Sequence, residues 1–168
     1  CCIPECGYTV LQTGVPEAMC LVNGDRAISS AIDIEKYNAV GLGPGIGVYP
    51  SHPKMLKDLF QKAKQPLVID ADALNVLARN KDQLASIPPA SILTPHVGEF
   101  ERLFGKSSND FERLGLAMQQ SKEYNCFIIL KGHYSFTSTP SGKGYFNSTG
   151  NAGMATGGSG DVLTGLVT

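Results

Sequence analysis

A glycine-rich segment near the C-terminal end, residues 149–165, constrains this chain more than any other stretch. Glycine occupies positions 150, 153, 157, 158 and 160, and the apolar pair Val162-Leu163 follows Asp161 at once. Glycine permits positive φ angles and a close approach of the backbone to a ligand. A glycine loop that leads into a helix also leaves several N–H groups without partners at the positive end of the helix dipole. The segment therefore predicts a site for an anion, most often a phosphate.

Asp161 is the one carboxylate in this segment, and two interpretations of it stay open. Aspartate is a common helix cap, so Asp161 could serve only to stabilise the start of the helix. It could also be a general base that takes the proton of a substrate hydroxyl as that hydroxyl attacks a phosphoryl group. The two roles are compatible, because a capping carboxylate can also lie in an active site.

Composition excludes several classes of protein. The 168 residues fit one domain, and 42% of them are apolar, which is enough for a substantial core. A net charge of −1 offers no electrostatic attraction to nucleic acid or to an acidic membrane. No apolar run approaches the roughly 20 residues that cross a bilayer, and no signal peptide is visible. The cysteines are odd in number, and their spacing completes no metal site, so reduced thiols in a cytoplasmic protein are expected; they are Cys1, Cys2, Cys6, Cys20 and Cys126.

Apolar runs typical of buried strands alternate with amphipathic patterns typical of helices. Strands are predicted at 38–42, 66–70, 91–94 and 126–130, helices at 51–63, 73–80, 100–104 and 110–124, and a hairpin at 136–139 and 144–147. This order predicts an α/β fold, a doubly wound and mostly parallel sheet with helices on both faces.

Two of the predicted strands lead into glycine or acidic residues, and ligands of open α/β sheets bind at the carboxyl edge. Residues 41–47 contain four glycines and form either a simple turn or a ligand loop, although their spacing is not that of a dinucleotide fingerprint. Asp70 and Asp72 follow the next strand. They could cap a helix, or they could bind a cation or hold a substrate hydroxyl.

The next two strands end in a histidine–glutamate pair and in a lysine. His96 and Glu99 form a weak signal by themselves, since a lone histidine is more often structural than catalytic. Lys131 could be a solvated side chain, as most lysines are, or it could reach a nucleotide phosphate as a point charge.

The glycine segment also carries a family resemblance. Residues 157–161, Gly-Gly-Ser-Gly-Asp, resemble the anion-hole and catalytic-aspartate signature of the ribokinase-like superfamily. The longer run over residues 151–165 resembles the ADP/ATP-dependent NAD(P)H-hydrate dehydratases, a nucleotide-repair branch of that superfamily. The Walker phosphate-loop pattern is absent. Five separate motifs extend the resemblance over nearly the whole chain, and they imply a ribokinase-like fold.

The resemblance implies roles for particular residues. Asp161 would be the catalytic base. Substrate would meet Asp161 together with Gly45, Asp72, Asn75 and His96. The adenosine nucleotide would meet Lys131, Gly132, His133, Tyr134, Ser135, Gly157, Gly158, Ser159 and Gly160. Glu99 would help to organise Mg²⁺, through water. Ser135 replaces a threonine of the family pattern and keeps the hydroxyl.

His96 distinguishes two branches of the resembled superfamily. Vitamin kinases usually have Thr-Pro-Asn-x-x-Glu at this place, whereas residues 94–99 here are Thr-Pro-His-Val-Gly-Glu. The histidine is typical of the hydrate dehydratases, where it lines the substrate site. The departure favours a repair enzyme over a vitamin kinase.

The implied reaction restores NAD(P)H from its hydrate, with ADP or ATP and Mg²⁺, by phosphorylation of the ring hydroxyl and loss of phosphate. Two alternatives remain: a vitamin-precursor kinase, and a nucleotide-binding fragment without activity. Residues 1–168 are expected to be an internal piece of one larger domain, truncated at both ends. A cytoplasmic location is expected, or an organelle in a eukaryote. The sequence leaves open the choice between ADP and ATP, an additional epimerase domain, and the oligomeric state, with a homo-oligomer among the options.

Overall fold

The computed structural model describes residues 1–168. Strands and helices alternate along most of the chain. In order they are β1 (Cys2–Ile3), α1 (Glu5–Gly14), β2 (Leu21–Val22), β3 (Val40–Leu42), α2 (His52–Lys62), β4 (Leu67–Ile69), α3 (Ala71–Arg79), β5 (Ile92–Leu93), α4 (Val97–Phe104), α5 (Asp110–Glu123), β6 (Phe127–Leu130), β7 (Ser135–Ser138), β8 (Gly144–Asn147) and α6 (Ser159–Val167). Short 3₁₀ turns lie at Lys81–Ser86 and Ala152–Met154.

The main sheet has six strands in the order β3-β4-β5-β6-β7-β8. Strands β3 to β6 are parallel, and the hairpin β7–β8 adds two antiparallel strands at one edge. Because each parallel strand lies beside its predecessor, the carboxyl ends of β3, β4, β5 and β6 form one continuous edge. This arrangement confirms the predicted mostly parallel α/β sheet.

One face of this sheet carries the hydrophobic core. Leu67 and Ile69 of β4 are fully buried there, among Leu56 of α2 and Leu74 and Leu77 of α3. Burying a side chain of this size contributes about 1.5–3 kcal/mol. The apolar positions recur at the spacing of one helical face, which is why α2 and α3 form and pack here.

The opposite face meets helix α6. Gly41 of β3 points to that side, since a methyl group added there would lie 3.4 Å from the side chain of Thr164 and closer still to Thr168. A side chain at this position would have to displace Thr168, so glycine suits the close approach of α6 to the strand. Helices therefore cover both faces of the sheet, as predicted, and the start of α6 is brought to its carboxyl edge.

Strands β1 and β2 form a second, two-stranded parallel sheet that pairs with none of the six other strands. The sequence did not predict β2, because a strand of two residues is too short to show an alternating pattern. A cavity of about 470 Å³, lined largely by apolar side chains, separates β1 from β3. None of the helices combines the length and the apolar character that crossing a lipid bilayer requires.

Candidate active site

A buried carboxylate connects three elements at the carboxyl edge of the sheet. Asp70 follows β4 and is 1% exposed. Its Oδ1 accepts a hydrogen bond of 2.7 Å from Nζ of Lys131, which follows β6, and another of 2.8 Å from the amide of Ala71. Its Oδ2 accepts one of 2.7 Å from Oγ1 of Thr164 on α6. The carboxylate therefore holds the lysine and the last helix in one place.

The electrostatic environment keeps Asp70 charged. Burial raises the pKa of Asp70, but the hydrogen bonds from Lys131 and Thr164 and the positive charge of Lys131 outweigh it, so that the pKa lies below the ordinary value. The ammonium of Lys131 has three donors and uses one on Asp70, which leaves two for a ligand. The lysine is thus a fixed cation rather than a free surface side chain.

The start of α6 provides unpaired amides beside this lysine. Gly158 ends the loop at φ 87°, a left-handed conformation that favours glycine. The amides of Gly157, Gly158, Gly160 and Asp161 donate to no acceptor within the chain. A methyl group added at Gly160 would lie 3.7 Å from Nζ of Lys131, so the free amides and the ammonium converge on one place. This is an anion site with both backbone and side-chain donors.

The carboxylate of Asp161 is exposed in the first turn of α6. No side-chain hydrogen bond caps this helix, and Gly158 occupies the cap position instead. The alternative in which Asp161 is only a helix cap therefore has no contact to support it. The carboxylate is therefore free to accept a proton beside the anion site.

The loop after β6 lies against the glycine segment. A methyl group added at Gly150 would come within 2.0 Å of the carbonyl oxygen of His133, so these two stretches of backbone touch. The rings of His133 and Tyr134 contact each other edge to face at 4.5 Å between centroids, and both side chains are exposed. Gly132 and Ser135 flank them. The two segments predicted to bind the nucleotide are therefore neighbours, on the same side of Lys131.

The glycine loop after β3 lies on the other side of Asp70. A methyl group on Gly43 would lie 1.7 Å from the carbonyl oxygen of Asp70, so only glycine permits this approach. The amide of Gly47 donates to Oδ2 of Asp72 at 2.9 Å. Gly45 is exposed at φ 68°, and a methyl group there would meet nothing within 4 Å. Gly45 is thus the point of the loop that is open to a ligand.

His96 begins helix α4 as an unusual cap. Its Nδ1 accepts from the amides of Gly98 at 3.0 Å and Glu99 at 3.3 Å, while Oε2 of Glu99 accepts from the amide of His96 at 2.9 Å. Because Nδ1 is an acceptor, the hydrogen of the neutral ring is on Nε2, which lies 3.5 Å from Oε1 of Glu99. A β-bridge pairs His96 with Lys131, so the half-exposed ring stands next to the anion site.

Asn75 lies on α3, three residues after Asp72. Its Oδ1 accepts a hydrogen bond of 3.1 Å from Nε of Arg102 on α4. Its Nδ2 lies 3.5 Å from Oδ1 of Asp72. Asp72 and Asn75 therefore form a second group, continuous with the glycine loop but separate from the Asp70–Lys131 pair.

The alternative in which one of the two carboxylates after β4 caps the following helix holds for Asp70, whose side chain accepts from the amide of Ala71. Sequence reasoning missed the contact of Asp70 with Lys131 and the roles of Thr164 and Arg102. Asp70 is one of two carboxylates that follow β4, but the sequence does not show which of the two faces Lys131. Thr164 follows Gly160 by four residues, a spacing that places both on one face of a helix. That spacing was the available signal.

These side chains fit an adenosine nucleotide accompanied by Mg²⁺. The fixed ammonium and the free amides suit phosphate oxygens. No group of three or more His, Cys, Asp or Glu side chains is placed to hold a metal by itself. Mg²⁺ in nucleotide sites instead uses one or two carboxylates together with phosphate oxygens and water. Glu99 is the carboxylate predicted for this role, through water.

Comparison with known proteins agrees with this geometry. The profile of the NAD(P)H-hydrate dehydratase family matches residues 2–168. A bifunctional NAD(P)H-hydrate repair enzyme of Thermofilum pendens is 34% identical over 168 residues, covering 98% of this chain and 31% of that protein. One of Gloeobacter violaceus is 39% identical over 145 residues, covering 86% of this chain and 28% of that protein.

Solved structures show the same fold. An ADP/ATP-dependent NAD(P)H-hydrate dehydratase from Bacillus subtilis, co-crystallised with ATP and Mg²⁺, superposes with a TM-score of 0.78 at 30% identity, over 98% of this chain and 58% of that one. A ribokinase-like superfamily protein from Enterococcus faecalis superposes with a TM-score of 0.80 at 24% identity, over 99% of this chain and 58% of that one. The ribokinase-like fold predicted from the sequence is confirmed.

The chain is shorter than these relatives. It spans less than a third of the two repair enzymes and 58% of the two solved chains. The family match nevertheless extends from residue 2 to residue 168 and contains every motif of the site. The chain belongs to the NAD(P)H-hydrate dehydratase family.

Proposed function

We propose that residues 1–168 are part of a single domain that dehydrates hydrated NAD(P)H, the S epimer, and so returns the damaged cofactor to its reduced form. The observation that carries this proposal is the convergence of Lys131, the free amides of α6 and Asp161 beside a substrate side formed by Gly45 and His96. An adenosine nucleotide, ADP or ATP, is the phosphoryl donor. The B. subtilis relative was co-crystallised with ATP and Mg²⁺, which supports this choice of donor.

The first step transfers a phosphoryl group to the ring hydroxyl of the hydrate. Asp161 accepts the proton of that hydroxyl as its oxygen attacks the terminal phosphorus of the nucleotide. The bond from that phosphorus to the bridging oxygen breaks, so that ADP leaves as AMP or ATP leaves as ADP. The amides of Gly157, Gly158 and Gly160 donate to the oxygens on which negative charge increases. Lys131 adds a point charge that Asp70 holds at the same place, so little reorganisation is needed during the reaction.

The second step removes the new phosphate ester. The C–O bond breaks, phosphate leaves with the bonding electrons, and the ring nitrogen beside that carbon assists. The neighbouring ring carbon gives up a proton to water, so the double bond of the dihydronicotinamide ring is restored. Hydroxide is a much poorer leaving group than phosphate, which is why dehydration consumes a nucleotide. The oxygen added as water leaves in inorganic phosphate.

Mg²⁺ neutralises charge on the nucleotide phosphates when it is bound. Glu99 is the carboxylate that would hold it, through water. Glu99 is 6% exposed, and its oxygens contact His96. Such a buried carboxylate suits a water-mediated role better than direct coordination. It also couples the histidine of the substrate side to the region of the metal.

A vitamin-precursor kinase is the competing function within the fold. It would use the same anion site and the same base but would release the phosphorylated alcohol. The presence of His96 at the start of α4 favours the dehydratase.

The test is recovery of the dihydronicotinamide absorbance from hydrated NADH or NADPH, with Mg²⁺ and either ADP or ATP. The protein and its Asp161→Asn variant are compared at equal concentration. Removal of a catalytic base reduces the rate by about 10²–10⁴-fold. The carboxylate of Asp161 makes no hydrogen bond within the chain, so the variant should keep its fold and its affinity for the nucleotide.

Three outcomes separate the candidates. Recovery of absorbance that Asp161→Asn abolishes supports the dehydratase. A folded protein that binds nucleotide but restores no absorbance with either donor excludes it for this chain. Formation of a phosphorylated alcohol from a vitamin precursor in the same preparation would assign the kinase instead.

A further inference from the structure

A concave pocket with two arginines lies beside the substrate side of the proposed site. Its volume is about 540 Å³. Arg79 enters it from the last turn of α3 and Arg102 from α4, and these two helices pack against each other. Val48 and Ala78 form its apolar walls, and Asn75 completes the lining. Two exposed arginine side chains from different helices therefore line one open pocket.

The charge of this pocket is not balanced by the chain. Neither Arg79 nor Arg102 forms an ion pair with a carboxylate, whereas Arg113 pairs with Asp110 and Glu101, and Lys131 pairs with Asp70. Two like charges at one cavity repel each other, and an anion between them would remove that cost. The pocket thus has the charge and the shape for an oxyanion.

Arg102 is held in an orientation that leaves its outer nitrogens free. Its Nε donates to Oδ1 of Asn75 at 3.1 Å. Because that bond uses the inner nitrogen, both Nη groups remain available for a bidentate contact with a phosphate or carboxylate. The chain of contacts from Asp72 to Asn75 to Arg102 fixes this fork from behind.

The pocket is continuous with the residues of the substrate side. A methyl group added at Gly98 would lie 3.6 Å from Nη1 of Arg102 and 3.0 Å from Cε1 of His96, so the guanidinium and the imidazole flank the same glycine. Arg79 lies four residues beyond Asn75 on α3, which is about 6 Å farther along the helix. The arginines therefore extend the site outward from His96.

We propose that this arginine pocket binds a phosphate group of the dinucleotide substrate, an inference that rests on the proposed function. The adenosine nucleotide has its own anion site at Lys131 and α6, so the two phosphate-bearing substrates need separate sites. Part of a dinucleotide extends beyond its reactive ring, and that part carries a pyrophosphate and, in the phosphorylated form, a 2′-phosphate. The arginine pair provides the matching donors at the end of the site that the ring does not occupy.

The experiment measures the binding of NADH and NADPH, the products, by calorimetry on the purified protein. The variants are Arg79→Gln, Arg102→Gln and the double substitution, with Arg26→Gln as a control at an exposed arginine outside the pocket. Each single substitution should raise Kd by about 10-fold and the pair by up to about 100-fold. In turnover of the hydrates the same variants should raise KM by similar factors and change kcat little.

The two ligands identify which phosphate is bound. An equal loss of affinity for NADH and NADPH would show that the pocket binds the pyrophosphate. A loss of affinity for NADPH alone would show that it binds the 2′-phosphate. Inorganic phosphate should compete with the dinucleotide in the parent protein but not in the double variant. The side chain of Arg79 has no hydrogen-bond partner in the chain, so Arg79→Gln should keep its fold. That variant tests the proposal even if Arg102→Gln loses its fold.

The proposal is overturned if the folded double variant binds NADH and NADPH as tightly as the parent and the Arg26→Gln control do. Turnover of the hydrate by that variant with an unchanged KM would leave the proposed function intact and reject the pocket alone. Arginine-dependent binding of dinucleotides without any recovery of the reduced ring would support the pocket and reject the proposed reaction.

Discussion

Nζ of Lys131 lies 2.7 Å from Oδ1 of Asp70, although 61 residues separate the two in the chain. The same carboxylate accepts a hydrogen bond from Thr164, 94 residues away. Asp70 therefore fixes both the cation and the helix that form the anion site. It touches no predicted ligand, and we class it as a positioning residue.

Asp70→Asn should lower both stability and activity. Loss of one partner from a largely buried ion pair leaves the other charge without compensation, so a decrease of about 2–4 kcal/mol in the free energy of unfolding is expected. Lys131→Met and the double variant complete a double-mutant cycle with Asp70→Asn. The effects of the two single substitutions on the nucleotide Kd should not add. Urea denaturation and nucleotide binding measure the two quantities. Strictly additive effects would mean that Asp70 does not act through the lysine.

The stability of the protein should fall in acid more steeply than that of Asp70→Asn. The folded-state pKa of Asp70 lies below its ordinary value of 3.8. Its stabilising contribution is therefore complete well above pH 3.8, declines as the pH falls through that value, and disappears below the folded-state pKa. Urea midpoints between pH 7 and pH 3 test this. Parallel curves for the two proteins would contradict this prediction. Glu17→Gln is the control, because its exposed side chain forms no hydrogen bond or ion pair.

Local patterns predicted most of the fold because most elements here have strong patterns. The helix predicted at 51–63 is His52–Lys62, and the helix predicted at 110–124 is Asp110–Glu123. The hairpin is Ser135–Ser138 with Gly144–Asn147. Strand β2 was missed because two residues show no periodicity.

Contacts between distant residues could not be predicted in this way. Nothing in the sequence around Asp70 indicates that Lys131 and Thr164 will meet it, since periodicity describes only neighbours along one element. The capping role of His96 was hidden for another reason: histidine is not among the residues that usually cap helices. The substrate, nucleotide and metal roles of all the predicted site residues, Asp161, His96 and Lys131 included, remain predictions.

Substitution by alanine should lower the stability of the protein by different amounts at two glycines of the loop after β3. Gly43→Ala would place a methyl group 1.7 Å from the carbonyl oxygen of Asp70, so the backbone must move, and a loss of about 3 kcal/mol or more is expected. Gly45→Ala meets no atom within 4 Å and should cost only about 1 kcal/mol, for its positive φ angle. Thermal denaturation measures both.

Substrate kinetics then test the site role of Gly45. If its backbone faces the hydrate, Gly45→Ala should raise KM for the hydrate while the nucleotide KM stays unchanged. A variant with ordinary kinetics for both substrates would show that Gly45 lies outside the substrate site.

His96 can be changed without loss of the cap on helix α4. Asparagine accepts hydrogen bonds from the first amides of a helix, so His96→Asn should retain stability within about 0.5 kcal/mol, whereas His96→Ala should lose about 1 kcal/mol. If His96 contacts the hydrate, both variants should lose activity despite this difference in stability. Unfolding midpoints and hydrate turnover separate the two roles. Full activity of His96→Asn would show that His96 serves only as a helix cap.

Cys126 should be the least reactive of the five thiols. It is fully buried beside β6, and burial raises the pKa of its thiol to about 12, so almost no thiolate exists at neutral pH. Cys1 and Cys6 are exposed and should react with iodoacetamide within minutes under native conditions. Mass spectrometry after labelling in buffer and then in urea should find Cys126 modified only in the second step. Labelling of Cys126 in buffer at the rate of Cys6 would mean that the sheet opens locally at β6.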